Sequence, residues 1–304
     1  MATETVPSRT VRPVRRRAPA APKAVPRKES GVKIVLYVVA AVLSLLVFVV
    51  PLAWALLRSL QPNAVITTAP NGSTFFHLTL DNFRNIAHIG VIPRSIGNSV
   101  IVAVGTAVLT TLLATLAGYG FGRFTFRGSG VAFALILVTL MIPFQAILTP
   151  LFLELNAMRL TDNLLGLILF YSTVNLPFGI FVMRTAFASV PKELEDAANV
   201  DGAGTMRTLG SVLRPLVTPG MATTALYAFL AAWTEFLGAL VFLTKQELYT
   251  LPVALLNLEQ GAYGTVDYGL LASGSVIAMI PCIVLFIALQ RYYVAGLSAG
   301  AVKG

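Results

Sequence analysis

The stretch "PKELEDAANVDGAGTMRTLGSVLRP", residues 191–215, decides how the rest of the chain is read. It is the most highly charged segment of an otherwise apolar region, and long hydrophobic runs stand on both sides of it. Pro191 suits the first turn of a helix, where its missing N–H costs nothing. Glu193, Glu195 and Asp196 follow within two turns, near the positive end of the helix dipole. Leu194, Ala197 and Ala198 recur at helical spacing and share one face. Two alanines make that face flat, which allows close approach. Gly202 ends the helix, because glycine readily takes the left-handed conformation that a helix C-terminus needs. A second short helix is expected from Thr205 to Leu213, ahead of Pro215. The expected result is a helix–turn–helix elbow over residues 190–214, with an acidic rim and a small-residue face. On the residues alone it is either a solvated connecting loop or a docking surface for a soluble partner.

The surroundings place this elbow. The chain has 304 residues, of which 56% are hydrophobic and only 12% charged, too apolar for an ordinary soluble domain. Six apolar runs lie near residues 34–57, 96–119, 131–152, 163–184, 215–242 and 269–290. Each reaches the roughly 20 residues that a helix needs to cross the hydrocarbon core. They are far too long for barrel strands, so the expected fold is an all-α integral membrane bundle of six transmembrane helices. Pro143, Pro150, Pro177, Pro219 and Pro281 fall in or near these runs and are expected to bend them.

The net charge of +9 is unevenly placed, with nine Lys/Arg in the first 33 residues. Those residues are rich in Pro, Ala and Arg and read as a disordered basic tail, 1–33, ahead of a transmembrane domain over 34–304. The run after the tail is too long for a signal peptide's apolar region and lacks a small-residue cleavage site, so it is read as the first span. With the tail inside, seventeen Lys/Arg fall in cytoplasmic segments and five outside. Both termini are therefore expected in the cytoplasm, in the plasma (inner) membrane, and so is the elbow. The tail's charge suits anionic lipid heads; hydropathy argues against a soluble nucleic-acid binder. Cys282 is the lone cysteine, inside an apolar run, and reads as packing.

The elbow resembles the cytoplasmic signature of permease subunits of ATP-binding-cassette importers. That signature reads Glu-Ala-Ala, three residues, Gly, nine residues, Ile-x-Leu-Pro. Here Asp196, Ala197 and Ala198 are followed after three residues by Gly202, and after nine more by Val212, Leu213, Arg214 and Pro215. Asp replaces Glu, Val replaces Ile and Arg replaces Leu. "ELEDAA" and "DGA" resemble the carbohydrate-uptake members, as do "NSVIVAV" at 98–104, "GYGFGRFTFRG" at 118–128, "LILFYSTVNLPFGIFVMR" at 167–184, "WTEF" at 233–236 and "AGLSAGAVKG" at 295–304. The resemblance implies a type I importer permease bundle whose elbow is a coupling helix, seated in a cleft of an ATPase subunit. It implies coupling residues Glu193, Glu195, Asp196, Ala197, Ala198, Asp201 and Gly202. It implies as partners a second permease, two ATPase subunits that use ATP and Mg, and an extracytoplasmic solute-binding protein, with a sugar as solute. The outside segment 61–94, with "TFFHLTLDNF", is similar to the family's lead-in to the second span and is expected to help dock the binding protein.

Chemistry of other kinds is not legible. No G-x-x-x-x-G-K-[ST] loop occurs, so ATP hydrolysis is expected in a separate chain and this chain is read as a transport subunit without a cofactor. His77 and His88 show no metal-site spacing. Glu235, in "AAWTEFLGAL", is an acid inside a span, which is costly and by default a functional-site hypothesis. It is expected either to bond sugar hydroxyls or to hold two helices together or gate them. Trp233 beside it either stacks on a sugar or packs, and Asn98 carries the same ambiguity. The competing readings are a stand-alone secondary transporter and an importer permease for a non-sugar solute. Secondary transporters commonly carry inverted repeats and several ion-coupling residues, and neither is visible here.

Overall fold

The computed structural model describes residues 31–68, 76–260 and 266–301, with side chains as far as Ala288 except at Ile34. The tail, apart from its last three residues, lies outside the described residues, as does part of the 61–94 segment; the side chains of "AGLSAGAVKG" are not described either. The chain divides into two units, Met1–Val50 and Pro51–Gly304. The described part of the first is the beginning of α1, Gly31–Ser59, an apolar helix long enough to cross a membrane.

The second unit holds the bundle. In chain order after α1 come α2, Asn63–Thr67, α3, Asp81–His88, and α4, Val91–Arg123. Then follow α5, Ser129–Val138, α6, Phe144–Ala157, α7, Leu164–Ala188, and α8, Glu193–Val200. The chain continues with α9, Thr205–Arg207, α10, Arg214–Thr234, α11, Leu237–Phe242, α12, Leu251–Glu259, and α13, Tyr268–Ala301. Among the described residues five helices are long and apolar enough to cross a membrane, and a sixth crossing is made if one bent pair counts as a span. That pair is Ser129–Met141 and Phe144–Ala157, which meet at 102°. The sequence places a single run there, at 131–152. The turn falls at Pro143, whose ring fixes its own backbone and disfavours helix at Ile142, which is extended.

The centre of the bundle is α4 against α7, with α10 packed across both. Small residues let these backbones touch. A side-chain carbon on Gly118 would lie 2.5 Å from Met183 Cβ and 2.8 Å from the Arg184 nitrogen. This is the close approach that drives helix association where lipid removes the hydrophobic advantage. Beneath the elbow, a cluster of Tyr119, Phe187, Leu209, Leu213 and Val217 joins the ends of α4 and α7 to the start of α10.

The second helix of the elbow does not stop before Pro215. Thr208–Leu213 widens into a π-helix, and the helical run continues from Thr205 to Thr234. A π turn shifts the hydrogen-bond register, which accommodates the N–H that Pro215 lacks.

Candidate functional site

The elbow is built from local signals that the structure realises in part: Pro191 stands before the cap residue and not in the first turn, and Ala198, expected on the partner face with Leu194 and Ala197, is buried. Lys192 precedes α8, and Glu193, Glu195 and Asp196 occupy its first turn, at the positive end of the helix dipole. At the other end Gly202 has φ 75°. Its N–H donates to the Asn199 carbonyl at 3.0 Å, and the Ala203 N–H donates to the Ala198 carbonyl at 2.9 Å. This pair of bonds is a Schellman turn, and the left-handed residue within it is the one position that requires glycine. A side-chain carbon on Gly202 would meet nothing within 4 Å, so the requirement is conformational and not steric.

The helix divides into two faces. Glu193, Leu194, Asp196, Ala197, Asp201 and Gly202 are exposed, and Val200 is 88% exposed. Ala198 is buried and packs down onto the bundle. A cavity of about 380 Å³ lies along the elbow, lined by Leu194, Ala197, Ala198, Asp201, Ala203, Arg207, Ser211 and Val212. It has small walls, one acid and one base, which suits a protein side chain seated against backbone-height residues.

Glu195 belongs to the inner face. The sequence groups it with the partner-facing residues, but its side chain is only 18% exposed and its Oε1 lies 2.7 Å from Arg123 Nε at the end of α4. The Arg123 side chain is 4% exposed. The acidic rim is therefore Glu193, Asp196 and Asp201, and Glu195 is turned to the bundle.

Glu235 sits where α10 ends and the backbone becomes extended, at φ −70° and ψ 133°. Its Oε2 accepts from the Tyr171 hydroxyl, from the Gly238 N–H at 2.9 Å and from the Ala239 N–H at 3.4 Å. The carboxylate thus satisfies the free N–H groups at the start of α11 and ties that turn to α7. The run expected as one span at 215–242 is two helices joined at this acid. Trp233 is buried, and its indole N–H donates to the Ala278 carbonyl of α13 at 2.9 Å, with Phe229 stacked beside it. Asn98 is buried, and its amide donates to the carbonyls of Glu247 and Tyr249 at 2.9 and 3.0 Å. Ser99 accepts from the Leu251 N–H, so α4 holds the segment leading into α12. All three candidate path residues are tied to the protein, Glu235 through Oε2, Asn98 through its amide nitrogen and Trp233 through its indole N–H.

Sequence reading missed three participants. Arg123 counts there only as a topology charge, and Tyr171 sits unmarked in an apolar run. Asp162 has no motif around it, yet it staples two connections on the side away from the elbow. Its carboxylate accepts from the Thr244 N–H at 2.6 Å, the Thr244 hydroxyl at 2.7 Å and the Lys245 N–H at 3.1 Å. Partial burial pushes its pKa up, but the Thr244 and Lys245 bonds and the Lys245 charge outweigh that and hold it below the usual carboxylate value.

A cavity of about 440 Å³ lies between the α5–α6 bend and α7. Its lining is aliphatic and aromatic apart from Thr139 and Thr173. Both hydroxyls donate to carbonyls of their own helices, Ile136 and Leu169. Within this chain it offers no uncommitted donor to a sugar, whose buried hydroxyls need partners.

Comparison with known proteins agrees with this architecture. A family model described as "Binding-protein-dependent transport system inner membrane component" matches residues 111–298. The arabinooligosaccharides transport system permease protein AraQ of Halalkalibacterium halodurans is 35% identical, over 84% of this chain and 91% of that protein. The trehalose transport system permease protein SugB of Mycobacterium tuberculosis is 34% identical, over 84% of this chain and 92% of that protein. A bacterial transporter solved as an importer of the acidic polysaccharide alginate matches in fold with a TM-score of 0.76. It is 23% identical and covers 87% of this chain and 98% of that one.

Proposed function

As the chain belongs to the family of binding-protein-dependent transport system inner membrane components, we propose that it is the membrane subunit of an ATP-driven sugar importer and that residues 190–214 are its coupling elbow. The observation that carries this is the outward face of α8. A short helix ends in a glycine turn, presents Glu193, Asp196, Ala197 and Val200, and is anchored on a packed cluster at one end of the bundle. A face of that shape has no use to a bundle that moves unaided, and it suits insertion into a soluble partner.

In this reading the partner is one of two ATPase subunits, which consume ATP and Mg, and a second permease completes the path. Both termini and the elbow are cytoplasmic, supported by the excess of Lys/Arg on that side. An extracytoplasmic binding protein delivers solute to the opposite face, with the 61–94 segment as its proposed docking region. The relatives named for arabinooligosaccharides and trehalose favour a short saccharide as cargo. Transport proceeds by alternating access. ATP draws the ATPase subunits together, the elbows follow, and the bundle opens outward; hydrolysis resets it.

Glu235 then acts as a joint and not as a sugar ligand. Interrupted helices at membrane depth occur where the chain lines a cavity or changes shape. The breaks at Pro143 and Glu235 are the places where this bundle deforms. Gentle affinity purification of the tagged chain from its native membrane tests the proposal. Recovery of an ATPase and a second permease is expected. Recovery of the chain alone, active in uptake without ATP, would refute it.

A further inference from the structure

We propose that Arg123 and Glu195 form a latch that makes α4 move together with α8. The proposal rests on the coupling reading above and assigns to both residues a positioning role. Of the three central helices, α7 runs directly into α8, and the helix from Thr205 to Thr234 leaves the elbow directly. Helix α4 has no such covalent tie, since beyond Arg123 the chain turns into α5. The ion pair supplies the missing connection, with Arg123 Nε 2.7 Å from Glu195 Oε1.

The pair is a poor device for stability. Its side chains are 4% and 18% exposed, so both charges lose most of their water. The short contact is not an aligned hydrogen bond, and Arg123 Nη2 is buried with no hydrogen-bond partner among the described residues. Two apolar side chains of similar volume would hold these helices as well or better. What a charge pair adds is position. The cation sits in the last turn of α4 and the anion in the first turn of α8, each at the helix end that favours its sign. Separating them would leave two uncompensated charges beside the Tyr119 and Phe187 cluster.

The consequence reaches the far side of the bundle. Helix α4 packs along α7 and α10 and, through Asn98 and Ser99, holds the segment from Glu247 to Leu251. A displacement of α8 passed to Arg123 is therefore felt by the backbone that Asn98 grips.

Spin labels test this in the purified importer complex, with Cys282→Ala as background and labels at Arg94→Cys and Lys192→Cys. Both sites are exposed; Lys192 lies within the 190–214 elbow just ahead of α8, so ATPase recovery of the labelled parent is first checked against the unlabelled protein. Pulsed electron resonance reads their separation without nucleotide and after trapping with MgATP and vanadate. In the parent the separation is expected to hold within about 2 Å, the scale of ordinary helix shifts. R123Q and E195Q are expected to recruit the ATPase within about twofold of the parent while the separation changes by more than about 2 Å on trapping. R123E combined with E195R is expected to restore the constant separation. A parent separation that changes on trapping overturns the latch, and so does constancy in both neutral variants or failure of the exchanged pair to restore it. A complex that contains no ATPase overturns the coupling reading itself, and the latch with it.

Discussion

The elbow and the joint at Glu235 both place acids next to a short helix, yet they use them in opposite ways. At the elbow, Glu193 and Asp196 point away from the protein and leave their oxygens uncommitted. At the joint, Glu235 spends its carboxylate on the Tyr171 hydroxyl and two backbone N–H groups. The same contrast separates Ala197, exposed, from Trp233, buried with its N–H occupied. An acid within a span is costly, whereas an exposed acid at the elbow is solvated. What marks a contact surface is an acid with nothing to do, and an acid that ties a hydroxyl and two backbone N–H groups through one oxygen marks a joint.

The largest expected effect tests the elbow half of this contrast. Gly202→Val forces a β-branched residue into the left-handed region, which costs about 1–2 kcal/mol for an ordinary L-residue and more for a branched one. The protein is expected to reach the membrane in normal amount while solute uptake falls by about tenfold or more. Unchanged uptake together with unchanged ATPase recovery would show that the turn geometry is dispensable.

Glu235→Ala should come next, because it leaves the Tyr171 hydroxyl and the Gly238 N–H without their acceptor. A cost of about 1–3 kcal/mol follows from orphaned buried groups. It should appear as lower thermal stability of the detergent-purified complex, with Glu235→Gln less affected. An alanine variant that is fully stable but has lost affinity for sugar would move Glu235 from joint to ligand.

A smaller effect is expected at Asp162. Its folded pKa lies below the ordinary value, so the staple is intact above the ordinary carboxylate range and weakens only as pH falls through the lower folded value. Amide exchange over residues 243–250 should be slow at neutral pH, stay slow down to about pH 4, and be fast at all pH values in Asp162→Ala. Loosening of the parent already near pH 6 would contradict the assigned direction. Removing residues 1–30 is expected to change least. Uptake should stay within about twofold, the outcome expected of a basic segment whose charge suits anionic lipid heads. A large loss would give the tail a transport role.

The fold was largely readable because length and hydropathy alone bound a membrane helix. The elbow was readable because its signals are local, acids at the first turn and a glycine at the end; the split of Ala197 outward and Ala198 inward was not. The facing of Glu195 was half readable, since it shares a helical face with the inward Ala198. Its partner was not, because Arg123 lies at the end of another helix far away in sequence. The 102° bend was hidden for a different reason. Hydropathy runs unbroken through Met141 and Ile142 into Phe144, and only Pro143 interrupts the hydrogen bonding. Asp162 gave no signal because its partners, Thr244 and Lys245, become neighbours only after the bundle forms.

The uninterrupted run from Thr205 to Thr234 has a mechanical meaning. At 30 residues it is a beam about 45 Å long, pivoted among its neighbours, with the elbow at one end and the Glu235 joint at the other. Tilting such a beam by about 5° displaces one end by about 4 Å relative to the other. The π turn that carries the helix past Pro215 is thus what keeps the lever in one piece, and it makes a small stroke at the elbow large enough to matter at the joint.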